Sequence, residues 1–168
     1  MKQSRQISSK IFTGEQLNRQ LKIWKLLDKK IVFTNGVFDI LHKGHLILLS
    51  EAASFADILI VGVNSDASVK RLKGDSRPVN DEHSRALLLA SLVMVDAVII
   101  FEEDTPFELI KMIMPHVMVK GGDYTIEEIV GAKETLDNGG EVKIVPVEKG
   151  FSTTSIIEKT KRTNTDKD

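Results

Sequence analysis

The chain has 168 residues, enough for one sizeable core, and its 42% apolar and 28% charged content is ordinary for a globular protein. A net charge of −1 provides no basic field for nucleic acid, and the absence of cysteine excludes a disulfide framework. The longest apolar stretch, about Ala86 to Val95, is too short to span a bilayer, and the polar start MKQSRQISSK lacks a secretory signal's apolar segment, which predicts a cytoplasmic protein with no membrane or nucleic-acid partner.

Residues 1–13 are polar and predicted to be loosely held. From Glu15 to about Lys29, Leu17, Leu21, Trp24 and Leu27 recur at helical spacing, predicting an amphipathic helix. Ile31–Thr34 then reads as a short buried strand. Asn35-Gly36 breaks it, glycine allowing a tight turn or close approach to a ligand. Val37, Phe38 and Asp39 lead to His42, Gly44 and His45, after which Leu46, Leu49 and Ala53 share one helical face. Two imidazoles thus stand where a strand hands over to a helix, beside N–H groups with no intrahelical partner. Such a place favours phosphate. The plain alternative is a pair of surface or packing histidines. Zinc is not expected, since its sites take three or four ligands and only Asp39 is near.

Ile58–Val63 is a second buried strand, followed by Asn64-Ser65-Asp66 and a basic loop, VKRLKGDSRPV, with Lys70, Arg71, Lys73 and Arg77. A helix is expected over about Asp81 to Val95, carrying Arg85, and a third strand over Ala97–Phe101, followed by EEDTP. Pro106 suits the first turn of a helix that ends before Pro115. Val117–Val119 is a fourth strand, running into Lys120-Gly121-Gly122-Asp123-Tyr124. A helix over about Ile126 to Asp137 stops at Gly139-Gly140, and Val142–Val147 is a fifth strand. Gly150-Phe151-Ser152-Thr153-Thr154-Ser155 opens a last helix and a polar tail.

Alternating helices and solidly apolar strands predict an α/β fold: a Rossmann-like, doubly wound sheet of about five parallel strands with helices on both faces. The expected organisation is a leader and helix over 1–30, one domain over 31–160 and a tail over 161–168. Every chemically loaded segment follows a strand, so these segments gather at the sheet's carboxyl edge. Neither GxxxxGK[ST] nor GxGxxG is present, so a bound nucleotide is held by another device.

Each segment carries two readings. Ser152–Ser155 is an N-cap or a phosphate cradle, and the two are compatible. The basic loop is solvated charge or countercharge for a phosphate ligand. Asp66 and Asp123 are strand-end caps or contacts to hydroxyls, and Lys120-Gly121-Gly122 is a turn or a close backbone approach.

The run Thr34, Gly36, Phe38, Asp39, His42, Gly44, His45 resembles the TxGxFDxxHxGH signature of the cytidylyltransferase-like nucleotidyltransferases, with no departure. The blocks VGVNSDASVKRLKGDSRPVN, VDAVIIFEEDTP, VKGGDY, VGAKETLDNGGEV and GFSTTSIIEK extend the likeness to about Leu27–Thr160. Together they resemble the adenylyltransferase domain of the bacterial ADP-heptose synthase family, NSDxSVKRLKGxxRPVN being the most telling. The resemblance implies transfer of AMP from ATP to D-glycero-β-D-manno-heptose 1-phosphate, with Mg²⁺ carried by the triphosphate. His42, His45 and Lys73 would be catalytic. Gly36, Val37, Phe38, Gly44, Lys120, Gly121, Asp123 and Ser152, Thr153, Thr154 and Ser155 would bind nucleotide and phosphate. Asp39, Asp66, Arg71, Arg77 and Arg85 would serve the sugar phosphate or the loop. It further implies a homodimer, and a stand-alone form with heptose phosphorylation done by a separate kinase. One departure concerns the arginine that related cytidylyltransferases carry before the last helix: Val147-Glu148-Lys149 stands there instead. Nothing in the residues alone fixes adenine over cytosine. Glycerol-3-phosphate cytidylyltransferase chemistry and a non-catalytic nucleotide-binding module are the alternatives.

Overall fold

The computed structural model describes residues 5–146 together with 153, 156, 157, 159 and 160. Its strands are β1 (Ile11–Phe12), β2 (Ile31–Gly36), β3 (Ile58–Asn64), β4 (Ala97–Phe101), β5 (Val117–Gly121) and β6 (Glu141–Val145). They form one sheet in the order β1-β4-β3-β2-β5-β6, every neighbouring pair parallel. Helices α1 (Arg5–Ser8), α2 (Gly14–Leu26), α3 (Lys43–Ala53), α4 (Asp66–Lys73), α5 (Glu82–Ala90), α6 (Phe107–Ile113) and α7 (Ala132–Asp137) connect them.

Side chains alternate across the strands, which divides the core into two layers. Val32, Val61 and Val98 face one side with Leu49 and Ala52 of α3 and Ala86 and Leu89 of α5. Phe33, Ile60 and Ile99 face the other with Leu17 and Leu21 of α2, Leu109 and Ile110 of α6, and Ala132 of α7. Solid apolar strands are what a doubly covered sheet requires. From β2 the chain steps outward through β3 to β4, then returns to place β5 on β2's other edge. The order therefore reverses between β2 and β5. A crevice opens outside the carboxyl ends of the strands at such a switch point.

Four expectations change. Residues 1–13 are not loose throughout: Ile11 and Phe12 pair with Val98 and Ile99, and Lys10 Nζ donates to Val95 O at 2.6 Å. The described sheet thus has six strands rather than about five. The start of the supposed basic loop is a helix, α4, capped by the Ser65 hydroxyl, which accepts from Ser68 N. Lys70, Arg71 and Lys73 lie on its last turn. The helix expected from Ile126 to Asp137 is a 3₁₀ turn, Ile126–Glu128, followed by α7. Gly131 separates them at φ +84°, and a Cβ there would collide with Ile110. Finally, α5 stops at Ala90, with Leu92 to Val95 continuing as turns instead of helix. Among the described residues no helix is long and apolar enough to cross a membrane.

Candidate active site

Asn35 and Gly36 end β2 at the switch point, and the chain then turns sharply toward α3. Phe38 takes a left-handed φ of +48°, an uncommon and strained conformation for a bulky side chain. It is buried nonetheless, with its ring edge-on to His45, centroids 5.1 Å apart. His42 is the N-cap residue of α3, but its side chain makes no capping bond, so the imidazole is released to the cleft.

The His42 and His45 rings stack at 3.8 Å and 20°. Both Nδ1 atoms are buried and have no hydrogen-bond partner among the described residues. Burial pushes His42 below the ordinary imidazole range. His45 is pushed down to about 4, first by burial and then by the charge of His42. At neutral pH the pair is uncharged. Two buried, unpartnered ring nitrogens at one helix start call for a ligand, because a buried polar atom without a partner costs about 1–3 kcal/mol.

They face a cleft of about 380 Å³ that also takes in Lys73, Arg77, Lys120, Gly121, Tyr124 and Thr153. Gly36, Val37, Phe38, Asp39 and Gly44 line it as well. The expected site residues from β2, α3, the α4 end, β5 and the segment after β6 are therefore gathered at one edge. Asp39 is fully engaged there: Arg77 Nε donates to it at 2.6 Å, Val79 N at 2.8 Å and Asn80 N at 2.9 Å. Burial alone would raise the Asp39 carboxyl, but the Asn80 and Val79 amides and Arg77 outweigh it and hold the group below the usual carboxylate range. Its geometry anchors the loop that carries Arg77. Lys120 donates to Asn35 Oδ1 at 3.3 Å, and burial pushes its ammonium below the ordinary lysine value.

Other expected residues lie elsewhere. Arg85 is fully buried, donating to Val37 O at 2.6 Å, Asn80 O at 3.0 Å and Asp66 Oδ1 at 2.7 Å. It and Asp66 brace the cleft wall from behind. Arg71 binds Asp104 Oδ1 at 2.7 Å and Glu102 O at 2.6 Å on the outer surface. Asp123 is exposed and does not line the cleft. Ser152, Thr154, Ser155 and the Val147-Glu148-Lys149 segment lie outside the described residues. Asn35, Tyr124 and the end of β6 at Val145 and Pro146 line the cleft without having been singled out. Asn35 and Tyr124 sit inside the quoted motifs, so adjacency was their only signal.

Residues 33–159 match the cytidylyltransferase-like family. The bifunctional protein HldE of Koribacter versatilis is 52% identical over 151 residues, covering 90% of this chain and 31% of that protein. The HldE of Nitratiruptor sp. is 59% identical over 131 residues, 78% of this chain and 28% of that protein. The chain thus spans about a third of the length of the curated relatives it matches. Among solved structures, the lipopolysaccharide core biosynthesis protein from Thermoplasma volcanium is 32% identical at a TM-score of 0.58, covering 73% of this chain and 99% of that one. A pantoate-beta-alanine ligase from Francisella tularensis shares the fold alone, 16% identical at a TM-score of 0.58 over 90% of this chain and 76% of its own.

Proposed function

Because the chain belongs to the cytidylyltransferase-like family, we propose that it transfers AMP from ATP to D-glycero-β-D-manno-heptose 1-phosphate, giving ADP-heptose and pyrophosphate for surface-glycan synthesis. The observation that carries the reading is the stacked His42–His45 pair, its Nδ1 atoms unpartnered, at a helix start beside the switch point. The HldE relatives over most of the chain support the substrate choice.

A phosphate oxygen of the sugar attacks the α-phosphorus in line. The new O–P bond forms as the bond to the bridging α–β oxygen breaks, and pyrophosphate leaves with that electron pair. No covalent enzyme intermediate is needed. His42 and His45 meet charge growing on the α-phosphate and the leaving group, and Lys73 and Arg77 add countercharge. Thr153, with Ser152, Thr154 and Ser155, grips the β- and γ-phosphates, and the backbone of Gly36, Val37, Phe38, Gly44 and Gly121 lets them approach. Mg²⁺ enters on the triphosphate, whose oxygens are its ordinary ligands. Residues 31–160 form the transferase domain, which works as a cytoplasmic homodimer on heptose 1-phosphate supplied by a kinase.

A pyrophosphate-release assay across ATP, CTP and GTP, crossed with sugar and polyol phosphates, tests this. Fast release is expected only with ATP, Mg²⁺ and heptose 1-phosphate together. ATP alone should hydrolyse slowly, because water lacks the positioning of a bound acceptor. Preferred release with CTP and glycerol 3-phosphate, or ATP binding with no release for any acceptor, contradicts the proposal.

A further inference from the structure

A cavity of about 290 Å³ opens at the amino edge of the sheet, where β2 and β5 begin. β2 runs from Ile31 to Gly36, so roughly 17 Å of strand separates this cavity from the histidine cleft. Leu21, Ile31, Met112 and Ile113 form its apolar floor, between α2 and α6. Its titratable lining is Lys22, Lys25, Lys29 and His116, with no carboxylate, and the Asn18 and Asn138 amides add polar groups.

The local fold brings these cations together. Lys22 and Lys25 stand three residues apart on α2 and share a helical face. Asp28 takes a left-handed φ of +50°, and Lys29 N donates to Trp24 O at 2.9 Å, which ends the helix and turns Lys29 back to the same cavity. Like charges at this spacing repel, and neither Lys22 nor Lys25 makes an ion pair among the described residues. Lys29 reaches Asp57 only at 3.8 Å, and the other oxygen of Asp57 accepts from Lys30 N at 2.8 Å.

His116 adds a directed donor. Its Nδ1 accepts from Ile31 N at 3.0 Å, which places the proton of the neutral ring on Nε2. Burial and then the charge of Lys30 push the imidazole below its ordinary range, Lys30 outweighing the opposing pull of Asp28, so the field at the ring is positive. The carboxyl ends of α2 and α6 also lie at this edge, each worth about half a negative charge. Together with Asp28 and Asp57 they amount to about three negative charges, against the ammonium groups of Lys22, Lys25, Lys29 and Lys30. The balance is positive, and it stands over an apolar floor.

We infer that this cavity is a second ligand site, for a small phosphate monoester with an apolar body. Lys22 and Lys25 take the dianion, His116 Nε2–H donates to it, and the floor covers the ester group. The site does not depend on the transferase reading, since none of its lining residues lines the histidine cleft.

NMR on the histidine rings of the full chain tests it, with phenyl phosphate, inorganic phosphate and phenol as probes. The His116 signal is assigned by its loss in His116→Gln, and the His42 and His45 signals report the cleft separately. Phenyl phosphate should shift His116 saturably and bind at least about threefold more tightly than inorganic phosphate, because the floor takes up the ring. Phenol should leave His116 unmoved. The double variant Lys22→Met/Lys25→Met should weaken the response at His116 at least about tenfold and leave any response at His42 and His45 unchanged. Lys22→Arg/Lys25→Arg, which keeps the charges, should retain binding. Both lysines are exposed, so both double variants should fold as wild type does. A His116 response that fails to saturate, that stays within about threefold of wild type in the methionine variant, or that phenol reproduces overturns the inference. Inorganic phosphate binding as tightly as phenyl phosphate overturns the assignment of an apolar body.

Discussion

His42→Ala and His45→Ala each keep the fold and lose turnover by on the order of 10²–10³, the usual cost of removing one preorganised charge-stabilising group. The His45 ring packs on Phe38 and His42, but neither Nδ1 atom has a hydrogen-bond partner among the described residues. Their removal therefore breaks chemistry before it breaks packing. Steady-state rates at saturating substrates check this, and a variant within about threefold of wild type would make the histidines structural. The same pair leaves a mark on stability. His45 charges at about pH 4 in the folded chain against 6.5 in the unfolded one, so between those values the unfolded chain binds more protons. Its contribution is fully present above pH 6.5 and is lost as pH falls toward 4. Thermal melts at pH 7 and pH 4.5 should differ less in His45→Ala than in wild type.

Arg85→Met should cost about 3–5 kcal/mol, the penalty for breaking a buried ion pair from one side. The change strands Val37 O, Asn80 O and the Asp66 carboxylate together. Asp66 keeps 32% of its side chain in water, which places the loss toward the lower bound. Arg85→Lys should recover little, because an ammonium cannot serve three acceptors spread around a planar guanidinium. The damage reaches the cleft as well, since Val37 forms its wall and Asn80 bonds Asp39. Urea midpoints measure the stability. A midpoint shift equivalent to under about 1 kcal/mol would mean that Arg85 does not brace the cleft wall.

β2 to β5 were readable because each begins as a solid apolar run, whereas β6 carries Glu141 and Lys143 and was marked by the Gly139-Gly140 break before it. β1 was not: two residues carry no period, and their partners in β4 lie far along the chain. α4 was hidden by composition, with Val69 and Leu72 its only large apolar residues among charges. The break before α7 turned on Gly131, whose necessity shows only once Ile110 is packed beside it. In the site, the histidine motif was legible because it is contiguous. Arg85, expected at the sugar phosphate or the loop, is not placed by its neighbours in the chain. Only the fold buries it against Val37, 48 residues away, where it also bonds Asn80 O. The Asn35–Lys120 contact spans 85 residues, so the cleft edge it marks had no local trace.

The most direct measurement uses ATP made chiral at the α-phosphorus by a single sulfur, with heptose 1-phosphate as acceptor and ³¹P NMR on the product. Direct in-line transfer predicts inversion at the α-phosphorus. Retention would require a covalent enzyme intermediate and contradict direct transfer, as would the absence of the α-thio analogue of ADP-heptose.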